Sequence, residues 1–540
     1  METSPNYYYY FPIFLCFTFI AYKILGRRWI NRHHDPPLPP SPTALPLIGH
    51  LHLLKPPLNI SLQTLLSRHG PVLFLRFGRL PALVLSSPAA VEECFTKHDV
   101  VFANRPKSMS ADHFTYNYRS YVWAPHGELW RGLRRFSVSE IFGPRALLRS
   151  AAVRQQEVAA LLRRLLAESR SCSGGGDGKL GAATDGAVVN LKFLLSILTV
   201  NVMMRVAVGW RCVEEDEAGT AEEKRKFQEF KDRFYPNLGL TVCDFFPVLR
   251  AIGYGGIERK MVGLMKERDE YFRRLVDRVL AERRRRRRED SDDGATGCGE
   301  VKSVAEILLS LRESDPGFYT DEVVHSTISM MFIAGTETTS ITLEWAMALL
   351  LNHPQAMQKL QTEIDDTVGV HNRLINEHDI PNLPYLKCVV NETLRLYPPA
   401  PFLLPHSSSE DCTVKGYRVP KGTTLMVNVW AMQRDPQLWE QADEFLPERF
   451  ESSARPVAEE GCKYAPFGMG RRSCPGAGLG MGLVSLALGS LVQCFEWEKK
   501  EKVGGEDMSA DFGIALSKKM ALEAKCVPRC DVVKLILSNV

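Results

Sequence analysis

A glycine-rich loop surrounds one cysteine in the segment Phe467-Gly468-Met469-Gly470-Arg471-Arg472-Ser473-Cys474-Pro475-Gly476. Glycine lets the backbone turn sharply and approach a flat ligand closely. The uncharged run from Ala477 to Leu491 predicts a helix that begins directly behind the sulfur. Backbone N–H groups and a helix N-terminus stabilise a thiolate, which can be an axial ligand of haem iron. A buried cysteine in a glycine turn is the alternative interpretation.

The combined spacing of Phe467, Gly470, Arg472, Cys474 and Gly476 resembles the haem-binding loop of the cytochrome P-450 monooxygenases. The resemblance implies haem b as the cofactor, with Cys474 as the axial ligand of the iron and Arg472 beside a haem propionate. It also implies a mainly α-helical fold with a smaller β-rich subdomain. The other loop residues that it places against the haem are Phe467, Gly468 and Gly476.

The composition of the 540 residues is that of an ordinary globular protein, with 45% hydrophobic and 24% charged residues. The net charge of +4 gives no case for nucleic-acid binding. The 13 cysteines are an odd number spread along the chain, which indicates a reducing compartment rather than a disulfide framework.

Residues 7–25 are mostly aromatic and aliphatic, and as a helix they would span about 28 Å, close to the thickness of a bilayer core. Arg27, Arg28 and Arg32 follow this segment, and no lysine or arginine precedes it. The positive-inside rule then predicts a single-span anchor at residues 1–32, in the endoplasmic reticulum membrane, with the catalytic part in the cytosol. A cleaved signal peptide is the competing interpretation, but its basic start and small-residue cleavage site are not evident.

Prolines are frequent in residues 36–42 and favour an extended, semi-rigid spacer. We therefore predict a proline-rich hinge at residues 33–50. The family motifs lie between residues 130 and 476, and each is useful only if it reaches one haem. This favours a single haem-thiolate monooxygenase domain at residues 51–540, although length alone suggests roughly three or four domains.

The longest helical pattern runs from Thr320, a suitable N-cap, to Asn352. Its middle reads Ala334-Gly335-Thr336-Glu337-Thr338-Thr339, and the two small residues are expected to leave room for a ligand. The neighbouring hydroxyl and carboxylate predict a local break, because threonine can bond back to a carbonyl. The match to the family's oxygen-binding helix implies that Thr338 and Glu337 deliver protons for O–O cleavage. Glutamate is longer than the aspartate that the family more often carries here.

Trp130 and Arg134 lie four residues apart and therefore share a helix face. They match the family pattern Trp-x-x-x-Arg, which implies that both contact a haem propionate, with an ordinary surface arginine as the alternative. Residues 104–130 are polar, aromatic and irregular, and the resemblance makes them a lid over the substrate. Simple core packing of those aromatic residues is the alternative.

Glu392 and Arg395 lie three residues apart on a helix predicted from Pro384 to Tyr397. They match the family's Glu-x-x-Arg motif, and Arg449 matches its partner motif Pro-Glu-Arg-Phe. The resemblance implies a partly buried Glu392–Arg395–Arg449 network behind the haem.

Residues 398–406 are apolar and rich in proline, which favours an extended strip rather than a helix. The resemblance passes this strip over the haem, with residues 402–404 lining a pocket and His406 near a propionate. A core histidine is the alternative. Residues 512–516 are expected to be the last loop to reach the pocket, with core packing equally compatible.

Other segments predict structure without chemistry. Residues 72–77 and 80–85 predict a β-hairpin, and Ser87-Pro88 predicts the start of a helix. Residues 171–178 predict a flexible loop. The arginine run 283–288 predicts a solvated, mobile segment, with contact to a membrane or a reductase as the alternative.

The family implies a monooxygenase that uses O2 and electrons from a membrane-bound NADPH–cytochrome P-450 reductase docking on the Cys474 face. Residues 398–408 and 416–423 look like the plant family numbered eighty-one. Members of that family act on flavonoids, isoflavonoids, lignans and related phenolics, and one branch closes benzophenones to xanthones. We therefore expect hydroxylation or oxidative coupling of a small plant phenolic, with a xanthone-forming synthase as an alternative.

Two further alternatives belong to other functional classes. One is a haem-thiolate isomerase or dehydratase that acts on hydroperoxides without O2, and the Glu337–Thr338 pair argues against it. The other is a non-catalytic haem-binding membrane protein, in which the same pair would have no purpose.

Overall fold

The computed structural model describes residues 36–171, 186–235, 239–293, 302–369, 373–451, 462–500, 506–529 and 533–538. The predicted anchor and the first residues of the predicted hinge lie outside the described residues. So do residues 172–178 of the predicted flexible loop.

The described residues are mostly helical, as predicted. In chain order the α-helices are α1 (Leu58–His69), α2 (Pro88–Phe95), α3 (Met109–Phe114), α4 (Glu128–Phe136), α5 (Pro144–Arg149), α6 (Ala151–Ser171), α7 (Leu191–Val208), α8 (Ala221–Phe234), α9 (Val242–Phe245), α10 (Pro247–Ala251), α11 (Ile257–Asp293), α12 (Val304–Ser314), α13 (Asp321–Asn352), α14 (Pro354–Val368), α15 (Pro384–Leu396), α16 (Val429–Met432), α17 (Ala477–Cys494) and α18 (Val533–Ser538). A π-helical turn, Ser137–Phe142, continues α4.

The strands form small sheets beside the helices. They are β1 (Val72–Phe77), β2 (Leu80–Leu85), β3 (Ala187–Asn190), β4 (His406–Ser407), β5 (Cys412–Val414), β6 (Tyr417–Val419), β7 (Thr424–Val427), β8 (Phe495–Lys499), β9 (Ala510–Phe512), β10 (Leu516–Lys518) and β11 (Glu523–Pro528). The largest sheet has the order β1-β2-β7-β4, and a second has the order β3-β11-β8. The predicted mainly α fold with a smaller β-rich part is confirmed.

The hairpin prediction is correct to the residue. β1 pairs with β2 in antiparallel register from Val72 opposite Leu85 to Phe77 opposite Leu80. Gly78 takes a φ of +56° in the turn, a conformation that glycine adopts without steric cost. Ser87 then caps α2 by accepting a hydrogen bond from the Ala90 N–H, with Pro88 in the first turn.

Helix α13 runs through the middle of the molecule and packs against α7, α15 and α17. It is apolar on almost every face, which is the pattern of a helix enclosed by protein. Its bounds match the prediction, but the predicted local break is absent, because α13 is continuous from Asp321 to Asn352. Thr320 is the N-cap residue by position, and its hydroxyl makes no capping bond to the described N–H groups of α13.

Gly335 allows α13 to approach α7 closely, a role that the interpretation of this glycine as room for a ligand did not include. A Cβ atom at Gly335 would lie 2.4 Å from the Met203 sulfur of α7. This is closer than nonbonded atoms pack, so the glycine permits helix–helix contact at this point. Ala334, the neighbouring small residue, is exposed, and Gly335 itself is partly accessible.

The described part of the proline-rich hinge lies on the folded body. The Pro40 carbonyl accepts a hydrogen bond from the Phe74 N–H of β1 at 2.9 Å. The Pro37 carbonyl accepts one from the Arg418 N–H of β6, also at 2.9 Å. This described segment has no helical residues, and these hydrogen bonds attach it to strands β1 and β6 of the folded domain.

The arginine run lies within helix α11, where Arg284 and Arg285 are exposed, in agreement with the prediction of a solvated segment. Arg283 pairs with Glu313 of α12, and Arg286 pairs with Glu306 at 3.3 Å. These carboxylates, together with Glu282, offset the repulsion between like charges that would otherwise unfold the run.

Within the described ranges, α7 and α17 are long and apolar enough to cross a membrane, but 72% of each lies buried inside the protein. That degree of burial is typical of core helices.

We expect Trp345→Ala to be strongly destabilising. Trp345 is fully buried on α13, its indole N–H donates to the Leu516 carbonyl at 2.9 Å, and its ring stacks on Tyr397 at 3.8 Å. Loss of a buried tryptophan costs roughly 3–5 kcal/mol, so the midpoint of thermal unfolding should fall clearly. Tyr254→Ala is the control, since that ring is 52% exposed and its loss should change the midpoint little. Equal midpoints for the two variants would contradict the prediction.

Candidate active site

The Cys474 loop is a tight turn that ends where α17 begins. Gly468 and Gly470 have φ angles of +70° and +64°, which favour glycine. The Cys474 N–H donates to the Phe467 carbonyl at 2.8 Å and closes the turn. The side chain of Cys474 is accessible although protein surrounds it on most sides, which is the situation of a group on the wall of an internal cavity.

Two groups near the sulfur favour its anion. The Gly476 N–H and the Arg134 guanidinium both act to lower the pKa of the Cys474 thiol. Burial acts in the opposite direction and is stronger, so the pKa of the thiol is raised above its ordinary value. The loop therefore supplies stabilising contacts for a thiolate, and a cation at the sulfur would complete its stabilisation.

Helix α13 presents accessible surface at its midpoint. Ala334 is exposed and Thr338 is partly exposed, although Met331, Phe332 and Thr336 beside them are buried. Accessible side chains in the middle of an enclosed helix require a cavity next to them. Helix α17 begins directly after the Cys474 loop and packs against α13. The cavity walls at Thr338 and at Cys474 therefore belong to neighbouring parts of the structure.

The Thr338 hydroxyl donates to the Ala334 carbonyl at 2.6 Å. This is the back-bonding that the sequence analysis expected to break the helix, and here it is accommodated without a break. The oxygen keeps lone pairs that can accept a hydrogen bond from a group in the cavity.

Glu337, the residue directly before Thr338 on α13, is half-buried. Burial raises the pKa of its carboxyl group above the ordinary value, while Lys231 and Lys192 oppose that shift. A carboxyl group with a raised pKa holds its proton closer to neutral pH. This property would suit a group that transfers protons.

Three arginines form a cluster, here called the arginine cluster, from Arg105, Arg134 and Arg472. Arg105 donates to the Leu404 and Pro405 carbonyls at 2.6 and 2.9 Å. Arg472 and Arg105 both donate to the Val122 carbonyl. Arg134 donates to the Ser473 carbonyl at 2.9 Å, directly before Cys474. The cluster therefore joins residues 104–124, the proline strip and the cysteine loop.

No described carboxylate forms an ion pair with any residue of the arginine cluster, whose hydrogen-bond acceptors are backbone carbonyls. Burial and the neighbouring Arg472 lower the pKa of Arg105 to about 9, and burial and Arg134 lower the pKa of Arg472 to about 10. Buried cations without counter-ions are costly. The cluster thus fits a ligand that brings carboxylates, as the two propionates of a haem do.

Trp130 and His406 lie beside this cluster. The Arg472 guanidinium stands 4.6 Å from the centroid of the Trp130 ring, within cation–π distance. The buried His406 donates from Nδ1 to the Phe102 carbonyl at 2.8 Å and contacts the Phe95 ring edge-on at 4.9 Å. Burial and Arg105 hold the pKa of His406 well below its ordinary value, so the imidazole is neutral. His406 is therefore both a core residue and a neighbour of the arginine cluster.

The structure brings Glu392, Arg395 and Arg449 together. Arg395 donates to both carboxylate oxygens of Glu392, at 2.7 and 2.8 Å, and both side chains are fully buried. Arg449 donates to the same carboxylate at 2.9 Å, and so does the Leu446 N–H. The remaining Arg395 N–H groups donate to backbone carbonyls, so the buried charges are compensated.

Gln433 links this network to the cysteine loop, and the sequence analysis missed it. Its fully buried amide donates to the Leu394 and Arg395 carbonyls at 3.0 Å, and its oxygen accepts from the Ala465 N–H at 3.1 Å. Arg105 was missed as well. Arg105 lies in a polar, irregular segment with Lys107 two residues away, so nothing in the sequence marked either Arg105 or Gln433.

The predicted lid is partly regular. Helix α3 lies within residues 104–130, and Tyr116, Asn117 and Tyr118 after it have positive φ angles. Phe114, Tyr121 and Trp123 are buried. On the proline strip Leu404 is 38% exposed. Residues 512–516 connect β9 to β10, with Leu516 buried.

A separate cavity of about 550 Å³ lies between α7, α8 and α11 and is lined by Trp210, Arg225 and Tyr271 among others. Its lining includes none of the predicted site residues, so the chemistry described above does not depend on it.

We expect Glu392→Ala to yield protein that retains no haem. Removal of one member of a buried ionic network costs on the order of 3–5 kcal/mol because the partner charge is left unpaired. Haem content per protein and the thermal midpoint measure the effect. Glu448→Ala is the matched control, since this neighbouring glutamate is 47% exposed and pairs with Lys359. A Glu392→Ala protein with full haem content would refute the assignment.

The comparisons with known proteins agree with this geometry. The family model described as cytochrome P450 matches residues 39–522. Cytochrome P450 81Q32 of Catharanthus roseus is 41% identical, covering 98% of this chain and 98% of its own length. The (+)-piperitol/(+)-sesamin synthase of Sesamum radiatum is 41% identical, covering 95% of this chain and 94% of its own length. The isoflavone 3'-hydroxylase of Medicago truncatula is 38% identical, covering 94% of this chain and 94% of its own length. Its relatives include plant members numbered eighty-one, as residues 398–408 and 416–423 predicted. The chain therefore belongs to the cytochrome P450 family of haem-thiolate monooxygenases, as the cysteine loop predicted.

Proposed function

We propose that the chain is a membrane-anchored monooxygenase of the endoplasmic reticulum that carries haem b and hydroxylates or oxidatively couples a small plant phenolic. The observation that carries the proposal is the accessible Cys474 beside an arginine cluster that has no carboxylate partner of its own among the described residues. The names of the relatives support the substrate class, because they include isoflavone hydroxylases and a sesamin synthase.

When bound, haem supplies the activation of O2 and the transfer of one oxygen atom to the substrate. Cys474 provides the sulfur ligand, and Arg105, Arg134 and Arg472 hold the propionates. Thr338 presents its hydroxyl oxygen to the cavity as a hydrogen-bond acceptor. Glu337 passes protons toward Thr338 from the side of Lys231 and Lys192.

The electrons come from NADPH–cytochrome P-450 reductase, which we place on the face of the cysteine loop. Arg471 of this loop is 47% exposed and is therefore available to a partner surface. The single haem-thiolate domain at residues 51–540 belongs to the same proposal.

An exposed apolar surface supports contact with a membrane. Leu47 is 85% exposed, Val248 67% and Ile252 70%. They lie near one turn, since the Gly78 N–H donates to the Ile48 carbonyl and the Arg79 N–H donates to the Phe245 carbonyl. Clustered exposed apolar side chains are typical of membrane or protein contact. This surface would rest on the bilayer that holds the proposed anchor.

The test is turnover of a phenolic library by microsomes that contain the protein and the reductase. We expect product that depends on NADPH and O2, and a substrate-induced shift of the haem spectrum. In the matched Cys474→Ser control, turnover and the thiolate-dependent absorbance band of the reduced carbon-monoxide complex should both disappear. Persistence of that band would refute the ligand assignment.

The same assay separates the alternatives. Ring closure of a benzophenone would identify a xanthone-forming synthase, which is one form of oxidative coupling. Turnover of hydroperoxides without NADPH would replace the proposal with an isomerase or dehydratase. Absence of both turnover and spectral shift across the library would favour a non-catalytic haem protein.

We expect Thr338→Ala to consume NADPH but release more peroxide than product, because proton delivery in the cavity is weakened. The ratio of product to NADPH consumed measures this directly. Thr342→Ala is the matched control, because its hydroxyl makes the same back-bond, to the Thr338 carbonyl at 2.8 Å, one turn further along α13. The prediction fails if Thr338→Ala couples NADPH to product as well as Thr342→Ala does.

A further inference from the structure

Arg471, the first of the two loop arginines, has a specific partner in Asp99. The Arg471 N–H donates to one Asp99 carboxylate oxygen at 3.0 Å, and the Arg471 side chain reaches the other oxygen at 2.9 Å. Asp99 lies in the turn that follows α2, which is 372 residues away in the chain. One carboxylate thus holds both the backbone and the side chain of a residue three positions before Cys474.

The backbone conformation of the neighbouring Gly470, and its lack of a side chain, allow this contact. Its φ is +64°, and a Cβ atom there would lie 2.4 Å from the Asp99 oxygen and 3.2 Å from the Phe95 carbonyl. A side chain at this position would displace the Asp99 carboxylate or the loop, and would be strained at this φ. The glycine therefore permits close docking of the loop on the residues around Asp99.

The residues from Phe95 to Ala103, here called the docking segment, also contact the arginine cluster. The Ala103 carbonyl accepts from the Arg472 side chain at 2.7 Å, and the Phe102 carbonyl accepts from His406 at 2.8 Å. The docking segment thus supports the cysteine loop on one side and the residues proposed to hold the propionates on the other. A shift of the segment would move both.

The expected free energies show which of the two contacts between Asp99 and Arg471 matters more, the ion pair or the backbone hydrogen bond. Arg471 is 47% exposed, and an ion pair at that exposure contributes between about 0 and 1 kcal/mol. Asp99 itself is only 19% exposed, and a hydrogen bond from a backbone N–H to a charged carboxylate is stronger, at about 1.5–3 kcal/mol. The backbone contact should therefore dominate.

We propose that Asp99 is a positioning residue for Cys474, and that its carboxylate fixes the backbone of the cysteine loop so that the sulfur is held in the geometry for iron. The inference rests on the proposed role of Cys474 and goes beyond it by assigning a support on a distant segment. Asp99 acts through the Arg471 N–H and touches no reacting atom.

The test compares Asp99→Ala, Asp99→Asn and Arg471→Gln in the haem-loaded protein. Asparagine keeps an oxygen for the Arg471 N–H, and Arg471→Gln keeps the backbone bond while removing the charge. We expect only Asp99→Ala to shift the reduced carbon-monoxide complex substantially toward the form without thiolate. Hydrogen exchange in the peptide containing the Arg471 amide should be about tenfold faster in Asp99→Ala, as expected for loss of such a bond. It should be intermediate in Asp99→Asn, whose acceptor is neutral, and near wild type in Arg471→Gln.

Asp411→Ala is the matched control. Asp411 likewise accepts a backbone N–H, from Lys421 at 2.8 Å, and pairs with Arg418 at 2.9 Å, in the β5–β6 hairpin away from the cysteine loop. This variant should leave both readouts unchanged. A similar loss in Asp411→Ala, or equal losses in Asp99→Ala and Arg471→Gln, would overturn the proposal, as would an Asp99→Ala protein that behaves like the wild type.

The two readouts also separate this inference from the proposed function. A wild-type protein that shows no thiolate-type spectrum would refute the role of Cys474 and, with it, the purpose assigned to Asp99. Unchanged exchange at Arg471 in Asp99→Ala, within a protein of normal spectrum, would refute only the role of Asp99.

Discussion

The structure depends on holding one sulfur at the wall of a cavity inside a helical core. A ten-residue loop with several glycines has little conformational preference of its own, so its shape must be imposed by its neighbours. From the core side, Gln433 connects the Arg395 carbonyl to the N–H of Ala465, two residues before the loop. From the other side, Asp99 holds the Arg471 N–H. Polar contacts thus hold the loop from both sides, a buried one through Gln433 and a more exposed one through Asp99.

The arginine cluster places a second constraint on the protein. Three guanidinium groups meet among backbone carbonyls, with no described carboxylate in ion-pair contact with them, and burial lowers the pKa of each. Such a concentration of positive charge destabilises the fold until anions neutralise it. The propionates of the haem would do so, which couples stability to cofactor binding by mass action. The cofactor is in this sense part of the core rather than an addition to it.

Local sequence predicted the elements whose residues interact mainly with near neighbours. The β1–β2 hairpin and the start of α2 follow from alternation, a glycine turn and a capping serine, and their bounds were correct. Other elements depend on tertiary partners. The arginine run is helical because carboxylates from Glu306 and Glu313 reach it. Gly335 serves helix packing because Met203 lies against it, and α13 keeps its continuity because its neighbours enclose it.

The sequence by itself determined which residues carry the family resemblance, since the spacing around Cys474, the Glu337–Thr338 pair and the Glu-x-x-Arg motif each lie within a few residues of the chain. It also determined the family, which the comparisons confirm. Only the tertiary structure decided how the site is supported. The side chains of Arg105, Gln433 and Asp99 bind backbone N–H and carbonyl groups of distant residues. Almost every residue carries such groups whatever its side chain. A sequence pattern therefore cannot name such partners, and the fold alone brings them within hydrogen-bonding distance.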